Sequence, residues 1–177
     1  MASFYTYLIA SLPALQWGAK PPLSYQRFLE QCAGLIPDKD LALVAGLDLA
    51  TISEQEPPAQ PTLAALHRLE TALRNELVRL RAGRKRVEPQ QYVRAEDRVA
   101  GDSALHTSAL AAFRSPSLLE AEKILDKQRW DSAEEAVGGH YFDFDQLIVF
   151  AYKLLLMLKW DAVGHAQAEP ALESALA

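Results

Sequence analysis

The stretch FDFDQLIVFAYKLLLMLKW, Phe142 to Trp160, sets a single lysine, Lys153, in the middle of an otherwise apolar run. Asp143 precedes the run, with Gln146 three residues on, which is the capping-box spacing that opens a helix. At 100° per residue, Phe144, Leu147, Ile148, Ala151, Leu154, Leu155 and Leu158 share one side. Val149, Phe150, Leu156 and Met157 flank the other, and only Gln146, Lys153 and Trp160 form a polar strip. A helix apolar on nearly all sides must be covered on nearly all sides. The expectation is therefore a central helix in a bundle. Asp143, Asp145, Gln146 and Lys153 break the run well short of the roughly 18 apolar residues that a membrane span needs.

Outward from this segment the same 3.6-residue period recurs, without an Asn-Gly hairpin or clean alternation of apolar and polar residues, so the chain reads as all-α. Leu63, Leu66, Leu69, Leu73, Leu77 and Leu80 lie at spacings of three and four. They predict an amphipathic helix over 62–81, about 30 Å long. Ser115-Pro116-Ser117 starts a helix to about Val137, which Gly138-Gly139 ends. Shorter helices are expected over 4–12, from the Ser24 cap to about Gly34, after Pro37, and over 103–113. The stretch SEQEPPAQP, 53–61, reads as an exposed linker, and a polar break surrounds Gly101.

The 177 residues suffice for one domain with a sizeable core, so the expected architecture is a single-domain bundle over 1–160. Residues 161–177 carry Asp161, Glu169 and Glu173 without Arg or Lys, and are expected to be a poorly ordered acidic, Ala-rich tail. The net charge of −5 argues against general nucleic-acid affinity, although residues 74–98 hold eight Arg/Lys against four Asp/Glu. The lone Cys32 excludes an internal disulfide framework and a cysteine-based zinc site, and fits a reducing cytoplasm. The apolar N-terminal stretch has no Lys or Arg before Lys20 and is cut by Pro13, so it is read as part of the fold rather than a signal peptide.

Motifs of nucleophile elbows, Walker loops and dinucleotide sites are absent, and neither catalysis nor a cofactor is expected. Glu134, Glu135, His140, Asp143 and Asp145 lie close in sequence, but a helix end followed by a helix start explains them better than a metal. His67 and Glu70 have bundle-metal spacing yet fall on the polar side of the leucine stripe, with no matching pair elsewhere. Two surfaces and one ion pair remain. Phe150, Lys153, Met157 and Trp160 project together as an expected partner interface, partly exposed in the isolated chain or buried against a second copy; the alternative is that the segment around Phe4, Tyr5, Tyr7 and Leu8 folds back over them and makes them core. Arg79, Arg81, Arg84, Lys85 and Arg86 form a docking patch suited to an acidic protein, since only Tyr92 is near to stack on a nucleic-acid base. Lys153 is expected to pair with Asp126 or Glu122, or to snorkel to solvent.

Three stretches carry a resemblance: YTYLIASLPALQW (5–17), LETALRNELVRLRAGR (69–84), and the region 118–160, with its Asp126-x-x-Arg129-Trp130 and His140-Tyr141-Phe142-Asp143 elements. Together they resemble a bacterial family of small helical proteins, formally a domain of unknown function, encoded beside genes for V/A-type rotary ATPases. The last helix, with Ala151-Tyr152, is similar more weakly to the closing helix of the V/A-ATPase socket protein, the non-catalytic component that joins the rotating central stalk to the membrane ring. Gly138-Gly139 and the acidic tail depart from that pattern. The resemblance implies a non-catalytic accessory or assembly subunit that docks to the stalk or membrane ring. It would sit in the cytoplasm, peripheral to the inner membrane, with no membrane insertion of its own. Other readings are a free-standing helical adaptor or homodimer, and an enzyme with an unrecognised site.

Overall fold

Four polar side chains start helices by accepting a hydrogen bond from a backbone N–H of the first turn that would otherwise lack a partner. Ser24 accepts from Arg27 N–H at 3.2 Å, Gln60 from Leu63 at 2.7 Å, Ser117 from Glu120 at 3.4 Å and Asp143 from Gln146 at 3.1 Å. The computed structural model describes residues 4–54, 56–94 and 103–176, with side chains to 166. Its helices are α1 (Tyr5–Ser11), α2 (Tyr25–Cys32), α3 (Asp38–Ala45), α4 (Pro61–Lys85), α5 (Ser103–Arg114), α6 (Leu118–Ala136) and α7 (Phe144–Leu176). A short 3₁₀ turn spans Pro89–Gln91, and no strand occurs among the described residues. The protein is all-α, as the periodicity predicts. The polar break around Gly101 lies outside the described residues.

Two compact units form where one is expected from length: residues 4–49 with 139–176, and residues 50–138. One junction falls between Leu49 and Ala50, just before the predicted linker over 53–61, and the other falls between Gly138 and Gly139. Gly139 takes a left-handed φ of 95°, which glycine adopts without a Cβ clash.

In the first unit α7 packs against α1, α2 and α3. Leu147, Ile148 and Val149, then Ala151, Tyr152, Lys153 and Leu154, are buried in unbroken runs, so burial here is not confined to one stripe. Leu8, Phe28, Cys32 and Val44 supply buried residues from the three shorter helices. The Tyr25 hydroxyl donates to the Val44 carbonyl at 2.7 Å, and the Tyr5 hydroxyl donates to Asp40. The helix continues from Asp161 to Leu176, through the segment expected as a tail.

In the second unit α4, α5 and α6 pack on one another. Leu63, Leu66, Leu69 and Leu73 are buried, while Leu77 and Leu80 are half-buried. The buried arc is wider than the leucine stripe, because two helices cover α4: Thr71, Ala72 and Asn75 are buried too. The buried Asn75 side chain holds the Arg94 backbone twice, donating to its carbonyl at 3.2 Å and accepting from its N–H at 3.0 Å. That pair ties the chain after the 3₁₀ turn to α4. At its end α4 runs one turn beyond the predicted Arg81, to Lys85, where cations favour the negative end of the helix dipole. Arg86 then leaves in the left-handed region, φ 56°. No described helix is long and apolar enough to cross a membrane.

Candidate functional site

Of the four residues expected to form a partly exposed interface on α7, two are placed otherwise. Met157 and Lys153 are buried, Lys153 with 8% of its surface exposed, and Phe150 and Trp160 are half-buried. Phe150 lies on the fully buried Phe28, ring centroids 5.3 Å apart and planes tilted by 33°. An aromatic contact of that geometry belongs to a core. The expectation of a partly exposed strip is corrected for Met157 and Lys153.

Asp126 and Glu122, the carboxylates expected beside Lys153, both meet Arg129 of their own helix. Arg129 Nη1 lies 2.6 Å from Asp126 and 3.4 Å from Glu122, while its Nε donates to both oxygens of Glu70 on α4 at 3.0 Å. Asp126 is fully buried and Glu70 nearly so, which makes this guanidinium the link that lets α4 and α6 bring carboxylates inside. Glu122, Asp126 and Arg129 stand at i, i+4 and i+7 on α6, a spacing legible in the sequence as one helix face. That Glu70 completes the group is not legible there, since projection puts it on the polar side of α4. Glu70 and His67 are both buried, and the polar-side placement is corrected.

His140, Asp143 and Asp145 do come together, with candidate ligand atoms within 4.8 Å of one another. Their arrangement is that of a helix start. One Asp143 oxygen accepts the Gln146 N–H, and the other lies 2.5 Å from His140 Nδ1. The hydrogen bond to Asp143, then its charge, raises the His140 pKa above the ordinary imidazole value. Burial pushes the Asp143 carboxyl up, but the hydrogen bonds from His140 and the Gln146 N–H outweigh it and hold the pKa below the usual carboxylate value. Glu134 and Glu135 are exposed on the last turn of α6, in the other unit. Cys32 is fully buried, and desolvation pushes its thiol up to about 12, so the nucleophilic thiolate is disfavoured at neutral pH. Of the remaining histidines, His106 Nδ1 lies 2.9 Å from Glu76, and His165 lies 3.6 Å from Asp161 one turn earlier.

The predicted basic patch acquires a setting that periodicity does not reveal. A partly open groove of about 550 Å³ lies within the second unit, where the last turns of α4 and α5 meet the first turns of α6. Its apolar lining includes Leu77, Phe113, Leu118 and Leu125, and Arg81, Arg84 and Lys85 stand along it. These three cations are exposed and share one face of α4 through their i, i+3, i+4 spacing. None of them forms an ion pair among the described residues. Arg79, by contrast, is held by Glu76 at 2.6 Å, and Arg86 occupies the left-handed cap. At the mouth, Leu118 leaves 91% of its surface exposed, and its chain neighbour Leu119 leaves 38%. Solvent-facing leucines beside uncompensated cations are what a docking surface presents before its partner arrives. The leucine at the first position after the Ser117 cap is the available sequence signal for this groove. Its neighbours come from two other helices and are assembled only by folding. No family model, curated protein or solved structure matches this chain.

Proposed function

We propose that the chain is a non-catalytic accessory or assembly subunit of a bacterial V/A-type rotary ATPase, akin to its socket protein and acting by protein-protein docking. The observation that supports docking is the apolar groove edged by Arg81, Arg84 and Lys85, a surface whose charge and greasiness both await a partner. The identity of the complex rests on the resemblance of residues 5–17, 69–84 and 118–160 to the family encoded beside such ATPases. In this reading the stalk or the membrane ring supplies the partner, and the protein lies at the cytoplasmic periphery of the membrane. Affinity purification of the tagged chain from its native host, after gentle solubilisation, tests it. ATPase subunits should co-purify in fixed proportion. Their consistent absence while the ATPase itself remains intact sinks the proposal, and recovery of the chain only with itself favours a homodimer.

A further inference from the structure

We infer that the groove at the ends of α4 and α5 receives an acidic amphipathic helix of a partner protein, apolar side chains inward and carboxylates toward Arg81, Arg84 and Lys85. This rests on the docking reading of the same groove, but not on the identity of the complex. Charge complementarity selects the occupant. Three exposed cations on one helical turn have no carboxylate of their own among the described residues. Glu122, the groove's own acid, is held at 3.4 Å by Arg129. A partner that brings carboxylates within a turn of one another would meet all three cations along a rise of about 6 Å.

The lining selects protein over nucleic acid. Leu77, Leu118 and Leu125 are aliphatic, and Phe113 is the single aromatic ring of the lining. Bases would need a succession of stacking rings beside the cations. Leucine or methionine side chains at helical spacing would fill an aliphatic channel framed by helices, the usual mode for a helix in a groove. Leu118 is already outside the fold, where the apolar face of such an occupant would cover it.

The test uses the full chain and a synthetic peptide of about 20 residues, with leucines at i, i+4, i+7 and i+11 and glutamates flanking that stripe. Fluorescence anisotropy should detect binding that weakens as salt rises. Replacing the glutamates by glutamine, or reversing the groove with Arg81→Glu, Arg84→Glu and Lys85→Glu, should each weaken it about tenfold or more. Leu118→Asp should do the same without loss of melting temperature, because that side chain is in solvent. This variant keeps the test valid should the triple charge reversal fail to fold. No binding, or binding indifferent to these changes, overturns the inference. So does tighter, groove-dependent binding of an oligonucleotide or of anionic phosphatidylglycerol vesicles. Self-association abolished by Leu118→Asp would identify a second copy as the occupant and likewise overturn it. Peptide binding without ATPase subunits in the purification would leave the groove assignment standing and remove only the identity of the complex.

Discussion

His140 and Asp143 illustrate how a single pair can look like a site and act as a cap. The two residues are three apart, half-exposed, and joined at 2.5 Å at the start of α7. Because folding raises the His140 pKa, its contribution is fully present below the unfolded value, near 6.5, and is lost as pH rises through the raised folded value. Because folding lowers the Asp143 pKa, its contribution is fully present above the unfolded value, near 3.8, and is lost as pH falls through the depressed one. The pair is thus at full strength between those unfolded values, and solvent screening keeps its effect small. Proton NMR of the His140 ring should show a midpoint above 6.5, and His140→Ala should move the Asp143 midpoint upward. A ring that titrates at or below 6.5 contradicts the pairing. The residues themselves are visible in sequence; the direction of each shift requires the distance between them.

Among the elements, α7 shows why an apolar period does not say what covers it. The predicted strip of Phe150, Lys153, Met157 and Trp160 is real as a set of projecting positions, but a projection angle carries no information about neighbours. Phe28 of α2, itself fully buried, occupies the space beside Phe150. Phe150→Ala should therefore cost about 2–3 kcal/mol of unfolding free energy, somewhat less than the 3–5 kcal/mol typical of a wholly buried phenylalanine. Chemical denaturation of the purified variant checks this. A change below about 0.5 kcal/mol would mean that the ring contributes as a surface residue does. On α4 the helix starts one residue before the predicted position and ends one turn after it. Gln60 is a less usual cap than serine, and Gly83 inside the helix resembles a stop although its φ is not left-handed.

The chain as a whole carries two compact units, and Glu70, Glu122, Asp126 and Arg129 all belong to the one formed by residues 50–138. Arg129→Met removes the guanidinium from Glu70 and Asp126, leaving two buried carboxylates without that partner. Such a loss typically costs about 3–5 kcal/mol. Hydrogen exchange should then show protection falling most in α4, α5 and α6, with α2 and the buried part of α7 affected less. An equal loss everywhere would show instead that both units unfold as one cooperative body. The glycine stop marks one junction in the sequence, and the proline-rich linker begins three residues after Ala50 at the other, yet the division into two units is not legible there. Punctuation marks where helices end, but whether a break also separates two packed bodies depends on which helices then find one another.

Local chemistry is legible from the residues alone. Ser24, Ser117 and Asp143 cap where expected because capping is settled within four residues, and all-α character follows from the repeated 3.6-residue spacing. The basic run at 79–86 is equally plain, since charge order is sequence order. Tertiary packing alone settles the rest: Glu70 sits with Arg129, fifty-nine residues away, Phe150 rests on Phe28, and Leu118 borders one groove with Leu77 and Arg84. Each of these depends on contacts between segments far apart in the chain. Burial and pairing energies of that kind arise only once the backbone has brought the partners together, and no local period encodes them.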